Sequence, residues 1–294
     1  MDIDTRLLRY FLAIAREGNM TRAAKLLHVT QPTLSKQLNK LEDILDSKLF
    51  KRTSRQMILT EAGLRFRDRA REIIELTDKA LYSIIQNKDS ISGEVTIGAA
   101  ESDAFRHLIK VFKSIHEEHP NIHFDVVSGN SLDSLDRLDK GIFDFALVVG
   151  TPNIDQYHSL PLPTADTWGL IIRNDHPLSK YDHITPELLK DEPLIISKQV
   201  FVNQELIEWL NNDWNEYNVV ATFNLLNNAA LMAEEGLGHV ISLDKIIKTS
   251  DDSALCFRPF RPKIVAPLSL VWRKNASLSP AADKFLEVYR VGWK

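Results

Sequence analysis

The chain has 294 residues, 44% of them apolar and 26% charged, and a formal net charge of −4. That length allows two or three domains with a substantial core, in the composition of an ordinary soluble protein. No apolar run reaches the ~18 residues of a membrane span, the acidic start Met1-Asp2-Ile3-Asp4-Thr5 has no export core, and the lone Cys256 excludes an internal disulfide; a cytoplasmic protein without a membrane partner is expected.

The charge is unevenly placed. Residues 1–88 carry 17 Lys and Arg against 11 Asp and Glu, whereas the remainder carries 19 against 29. A basic first third points to a nucleic-acid contact confined to one module, although a surplus this small also arises by chance. The spacing of Leu8, Phe11, Leu12 and Ala15 predicts a helix over 4–16, stopped by Gly18. Next, Met20, Ala24 and Leu27 share one face of a short helix for which Thr21 is the expected N-cap. A turn is expected at 28–30, and Pro32 suits the first turn of the following helix, over 32–45. Leu34, Leu38, Leu41 and Leu45 point that helix inward. Its outward side is Gln31, Thr33, Ser35, Lys36, Gln37, Asn39 and Lys40, residue types that bond base edges and phosphates. The pattern fits a helix-turn-helix with its second helix in a DNA major groove. Amphipathic helix pairs that touch no nucleic acid share it.

Apolar residues then flank a basic turn over 48–60, as in a two-stranded wing, with Arg52 and Arg55 projecting toward phosphates or a minor groove. A long helix starts at 60–63. Its stripe of Phe66, Ala70, Ile73, Thr77, Ala80 and Ile84, broadened by Ile74, Leu81 and Ile85, suits a partner helix and predicts a dimer. Packing against its own chain is the alternative.

After a polar hinge at 89–93, strands at 94–98, 122–127 and 143–149 alternate with helices at 105–116 and 132–139, a parallel α/β pattern. The first of these helices is expected to turn Leu108, Ile109, Phe112 and Ile115 inward. A second block has strands at 168–172, 193–196, 217–222 and 239–243 and helices at 203–211 and 224–235. The final strand, 267–272, and helix, 280–291, could return to the first block, giving two lobes with two crossovers and a cleft. The expected division is 1–60, 61–88, the hinge, a first lobe of 94–163 with 267–294, and a second lobe of 164–266.

The chain resembles the LysR-type transcriptional regulators. The matching residues are Leu8-Arg9-Tyr10-Phe11, Thr21-Arg22-Ala23-Ala24, Gln31-Pro32-Thr33-Leu34-Ser35, Leu41-Glu42, Leu49-Phe50-Lys51-Arg52 and Leu59-Thr60-Glu61-Ala62-Gly63. Weaker echoes follow at Gly141-Ile142-Phe143-Asp144-Phe145-Ala146, His176-Pro177-Leu178 and Gly236-Leu237-Gly238. The resemblance implies an α/β protein overall, with a winged helix-turn-helix, a dimerising linker helix and a two-lobed effector domain like a periplasmic binding protein. It also implies double-stranded promoter DNA, a small-molecule effector, RNA polymerase and further copies of the chain, up to a tetramer, as partners. No cofactor is implied. Gln31, Pro32, Ser35 and Lys36 become the groove-facing residues, Arg52 and Arg55 face the backbone or minor groove, and Thr21, Arg22, Thr33 and Asn39 complete the DNA-binding set. Most members have arginine at the position of Lys36, and lysine lacks the planar fork that grips guanine at two points. Asp244 stands where the family usually has proline.

Ligands of open α/β sheets sit beyond strand C-termini, near helix N-termini. The candidates are Ala100, Glu101 and Ser102, then Ser128, Gly129 and Asn130, then Ser197, Lys198 and Thr222. Glu101 and Asp103 put negative charge at the first of these places and are expected to disfavour a strongly anionic effector. An enzyme is not expected, because no Gly-rich phosphate loop and no Gly-x-Ser-x-Gly elbow occurs. His116, His119 and His123 lack the zinc-protease spacing, so no metal is expected. A pure solute-binding protein fits the lobes but not the basic front module.

Overall fold

The computed structural model describes residues 3–52, 56–84, 91–150, 156–198, 204–211, 216–249 and 253–292. The chain forms two compact units, Met1–Ile85 and Gln86–Lys294. No helix among the described residues is long and apolar enough to cross a membrane.

In the first unit α1 spans Thr5–Glu17, capped by Asp4 and closed by Gly18 at φ 58°, a left-handed conformation that glycine adopts without strain. α2 spans Met20–Leu26. Its cap is Asn19, not Thr21: the Asn19 side chain accepts from the amides of Thr21 and Arg22 at 2.9 and 3.0 Å. Asparagine is an equally good cap, and one step earlier it reaches both free amides. α3 spans Gln31–Ile44, with Thr30 accepting from the Thr33 amide and Pro32 in the first turn. Leu34, Leu38 and Leu41 are at most 2% exposed, and Ala23 and Ala24 let the helices meet closely. Leu45, expected inward, follows the end of the helix and is only half-buried.

The wing is β1 (Phe50–Arg52) paired antiparallel with β2 (Met57–Leu59). An unpredicted carboxylate fixes its base. Glu42, 4% exposed on α3, accepts from the Leu49 amide at 2.9 Å, the Phe50 amide at 3.3 Å and Lys48 Nζ at 2.8 Å. A buried charge is tolerated when its lone pairs are filled in this way. α4 spans Glu61–Ile84, 24 residues and so about 36 Å. Thr60 Oγ1 accepts from the Gly63 amide and donates to the Lys48 carbonyl. A Cβ at Gly63 would lie 2.1 Å from the Leu49 carbonyl oxygen, so only glycine fits this join.

The stripe on α4 divides. Phe66, Ala70 and Ile74 pack on the unit's own core, with the Phe66 ring edge-on to Phe11 at 5.1 Å, and Arg9 on α1 pairs with Asp78. Ile73, Leu76 and Leu81 stay 45%, 39% and 52% exposed. Phe66 and Ala70 therefore do not belong to a seam for a second chain. The helix core needs a lid, and the nearest apolar surface in the sequence supplies it.

The second unit holds two sheets. β3 (Gly93–Ala99), β4 (Ile122–Ser128) and β5 (Phe145–Val149) are parallel, joined by α5 (Arg106–Glu118) and α6 (Ser131–Asp139). β6 (Tyr157–Pro161) forms an edge. The other sheet contains β7 (Asp166–Arg173), β8 (Pro193–Ser197), β9 (Asn218–Phe223), β10 (His239–Leu243) and β11 (Leu255–Pro259) in the order β11-β7-β10-β8-β9. α7 (Gln204–Trp209) and α8 (Leu226–Glu234) accompany it. β12 (Val265–Ala266) then pairs with the start of β7, and β13 (Leu268–Arg273) returns between β5 and β6 before α9 (Pro280–Val291). The two crossings are thus hydrogen-bonded to each other as a two-stranded hinge.

The first lobe packs around Leu108, Phe145 and Phe285, and the second around Leu170, Ile196 and the stacked pair Trp209–Phe260, 4.0 Å apart. Ile109, expected inward on α5, is 51% exposed, because the core side of that helix is taken by Leu108 and Ile115. Cys256 is buried on β11, and burial pushes its thiol pKa up, away from the reactive thiolate. Asp244, in the place of the family's proline, accepts from the Thr167 amide at 2.8 Å and donates its own amide to the Thr167 carbonyl. It holds the end of β10 to the start of β7.

Candidate functional sites

Leucines on one side of α3 leave a polar strip on the other. Gln31, Pro32, Thr33, Lys36 and Asn39 are exposed and Ser35 is half-buried. Thr21 and Arg22 are exposed at the start of α2, where Arg22 also donates to the Glu17 carbonyl and faces its carboxylate at 3.7 Å. Thr33 Oγ1 lies 2.8 Å from Thr30 Oγ1, which orients the hydroxyl at the helix entrance. No acid stands on α3 from Gln31 to Leu41. Groups of this kind, exposed along one side of a helix, suit phosphates and base edges. Arg55 lies outside the described residues, and of Arg52 only the strand position is described.

A cavity of about 500 Å³ opens between the lobes of the second unit, within the range of small-molecule sites. Ala100, Glu101, Gly129 and Ser197 line it, each just beyond or at the end of a strand. The other candidates do not. Ser102 caps a short turn by accepting from the Ala104 amide, and Asn130 caps α6 by accepting from the Asp133 amide. Ser128 and Lys198 face solvent. Thr222 is on the outer face of β9, and strand alternation turns its neighbour Phe223 into the cavity instead. Sequence reasoning also missed Leu132, Trp168, Gln204 and Glu205. Leu132 is 59% exposed at the start of α6, an apolar residue left at a helix N-terminus, and that was the readable signal.

The charge of the cavity is one-sided. Glu101 and Glu205 line it, and no lysine, arginine or histidine does among the described residues. Glu101 spans the gap: its Oε2, from the first lobe, accepts from the Leu226 amide at 2.7 Å. Leu226 opens α8 in the second lobe, whose N-cap Leu225 offers no side-chain acceptor. The carboxylate thus occupies a free amide at a helix N-terminus, where a ligand anion would otherwise sit. At the hinge, Asp166 is 5% exposed and its Oδ2 has no hydrogen-bond partner. Burial is the main cause raising its pKa. A hydrogen bond with Ser102 opposes the rise, and the charges of Asp244 and Asp103 add to it.

The chain matches two family models. Residues 5–64 match the bacterial regulatory helix-turn-helix protein of the lysR family, and residues 88–293 match the LysR substrate binding domain. The uncharacterised HTH-type transcriptional regulator YwbI of Bacillus subtilis (strain 168) is 30% identical over 97% of this chain and 95% of its own. The uncharacterised HTH-type transcriptional regulator YbhD of Escherichia coli (strain K12) is 28% identical over 95% of this chain and 88% of its own. Among solved structures, CbnR, a LysR family transcriptional regulator, superposes with a TM-score of 0.75 at 21% identity, covering 99% of this chain and all of CbnR. Full-length CbnR complexed with its target DNA superposes at 0.71 and 20% identity, covering 98% of this chain and 99% of that one.

Proposed function

The chain belongs to the LysR family of bacterial transcriptional regulators, and from that premise we propose that α3 reads promoter DNA while the interlobe cavity takes the effector. As a family member it is a DNA-binding regulator with an effector-binding domain, and not an enzyme. The observation that carries the DNA reading is the split on α3, with leucines at most 2% exposed behind and Gln31, Pro32, Thr33, Lys36 and Asn39 in front. In this reading Gln31 and Lys36 contact base edges. Thr21, Arg22, Thr33, Ser35 and Asn39 contact base edges or phosphates, Pro32 packs in the groove, and Arg52 and Arg55 hold the backbone or minor groove.

The division proposed is a DNA-binding domain at 1–60, a dimerisation helix at 61–88, a hinge at 89–93, a first lobe of 94–163 with 267–294 and a second of 164–266. Ile73 and Leu76, exposed on α4, form the proposed dimer contact, with tetramers and RNA polymerase as further partners and the cytoplasm as the place of action. For the effector we infer a small molecule that is neutral or cationic. Glu101 and Glu205 support this, with Trp168 and Phe223 offering aromatic faces and Ser197 a polar contact. Ala100 and Gly129 leave room for it.

Mobility-shift assays with the DNA upstream of the chain's own gene test the reading. Retardation selective for one sequence, weakening steeply with salt, is expected. Retardation equal on every sequence, or none at all, would refute it.

A further inference from the structure

Three side chains far apart in sequence meet at the end of the second lobe's sheet opposite the cavity. His176 follows β7, Glu192 immediately precedes β8, and His239 opens β10, paired with Leu194 of β8. His239 Nε2 lies 3.1 Å from Glu192 Oε2, and His176 Nε2 lies 3.7 Å from the same oxygen. The ligand atoms of all three fall within 4.8 Å of one another, and the two rings are 4.3 Å apart at 56°.

We propose that His176, Glu192 and His239 form a zinc-binding site in the second lobe. Bonds of about 2.1 Å at tetrahedral angles place ligand atoms about 3.4 Å apart, and the observed 3.1 and 3.7 Å bracket that spacing. Two imidazoles and one carboxylate suit zinc and not magnesium, which demands oxygen ligands in an octahedron. The His239 side chain is 8% exposed, while Glu192 and His176 are 25% and 29% exposed. The ion therefore enters from solvent and keeps water in the fourth position. His176 Nδ1 accepts from the Leu178 amide at 3.3 Å, so its Nε2 faces the site. Metal on Nε2 moves the ring proton to Nδ1 and breaks this long contact. The ion joins the β7 connection to the starts of β8 and β10, so binding stabilises this lobe.

The test uses untagged full-length protein, stripped with a chelator, reloaded with excess zinc and desalted near neutral pH. One zinc per chain is expected to survive desalting. At about 100-fold excess over Kd, zinc should raise Tm by roughly 5–10 °C, while magnesium leaves it unchanged. His176→Gln, at the exposed edge, should fold normally and weaken zinc binding by at least about tenfold, the loss that even an outer-shell partner causes. His239→Asn should abolish the zinc-dependent shift. No retained zinc in the parent protein, or the same retention and shift in His176→Gln, overturns the proposal.

Discussion

Replacing Glu101 by alanine removes the carboxylate that accepts the Leu226 amide at 2.7 Å. The N-cap residue Leu225 has no side-chain acceptor of its own for that end of α8. A hydrogen bond to a charged group contributes about 1.5–3 kcal/mol, part of which is the attraction of a carboxylate for a helix N-terminus. A loss of about 2 kcal/mol lowers the Tm of a unit of this size by roughly 4–8 °C. Glu101→Gln keeps an acceptor but not the charge, and should lose about 0.3–1 kcal/mol. Calorimetric melting of the full-length protein measures both. Acetate supplies the missing chemistry: at constant ionic strength it should raise the Tm of Glu101→Ala and leave the parent unchanged. Equal melting of parent and alanine variant, or the same response of both to acetate, would refute the view that this side chain closes the cleft and repels anions from it.

Two other changes probe the scaffold around the sites. Glu42→Ala leaves the amides of Leu49 and Phe50 buried without their acceptor and should cost the first unit about 2–4 kcal/mol, read from denaturant unfolding. Asp166→Asn should stabilise the second unit at neutral pH. The folded-state pKa of Asp166 is raised, so the folded chain holds its proton more tightly than the unfolded chain. Its contribution to stability therefore grows as pH falls from neutral through that raised pKa, is complete below the ordinary carboxylate value, and is lost as pH rises. Thermal melts across that acid range should show the advantage of the asparagine variant shrinking as pH falls; an advantage independent of pH would rule out ionised Asp166 as the cause.

Where one periodicity dominated, the sequence was easy to read. The leucines of α3 repeat with no competing apolar face, and the apolar centres of β8 (Leu194, Ile195 and Ile196) and β10 (Val240 and Ile241) are fully buried, with Pro193 and Gly238 ahead of them. Elsewhere, competing effects hid the structure. β6 and β11 are sheet edges ending in Pro161 and Pro259, and proline argues against a strand except at an edge. Glu42 reads as a solvated position of α3 and becomes a buried anchor only when the wing folds over it. The α4 stripe is continuous in sequence, but whether α1 or a second chain covers each residue depends on tertiary packing. In the cavity, strand ends are legible in the sequence and side-chain direction is not: Thr222 ends the expected strand, but its neighbour Phe223 lines the space. His176, Glu192 and His239 have no local spacing to betray them, because three different strand ends bring them together.

In the proposed function the polar face of α3 reads bases. It is tested most directly by the affinity of Gln31→Ala for the operator and for unrelated DNA, compared with the parent at one fixed salt concentration. A loss of about 1–3 kcal/mol, roughly 5- to 150-fold, is predicted on the operator alone, with unrelated DNA bound as before and Tm unchanged. An unchanged operator affinity, or an equal loss on every sequence, would contradict it.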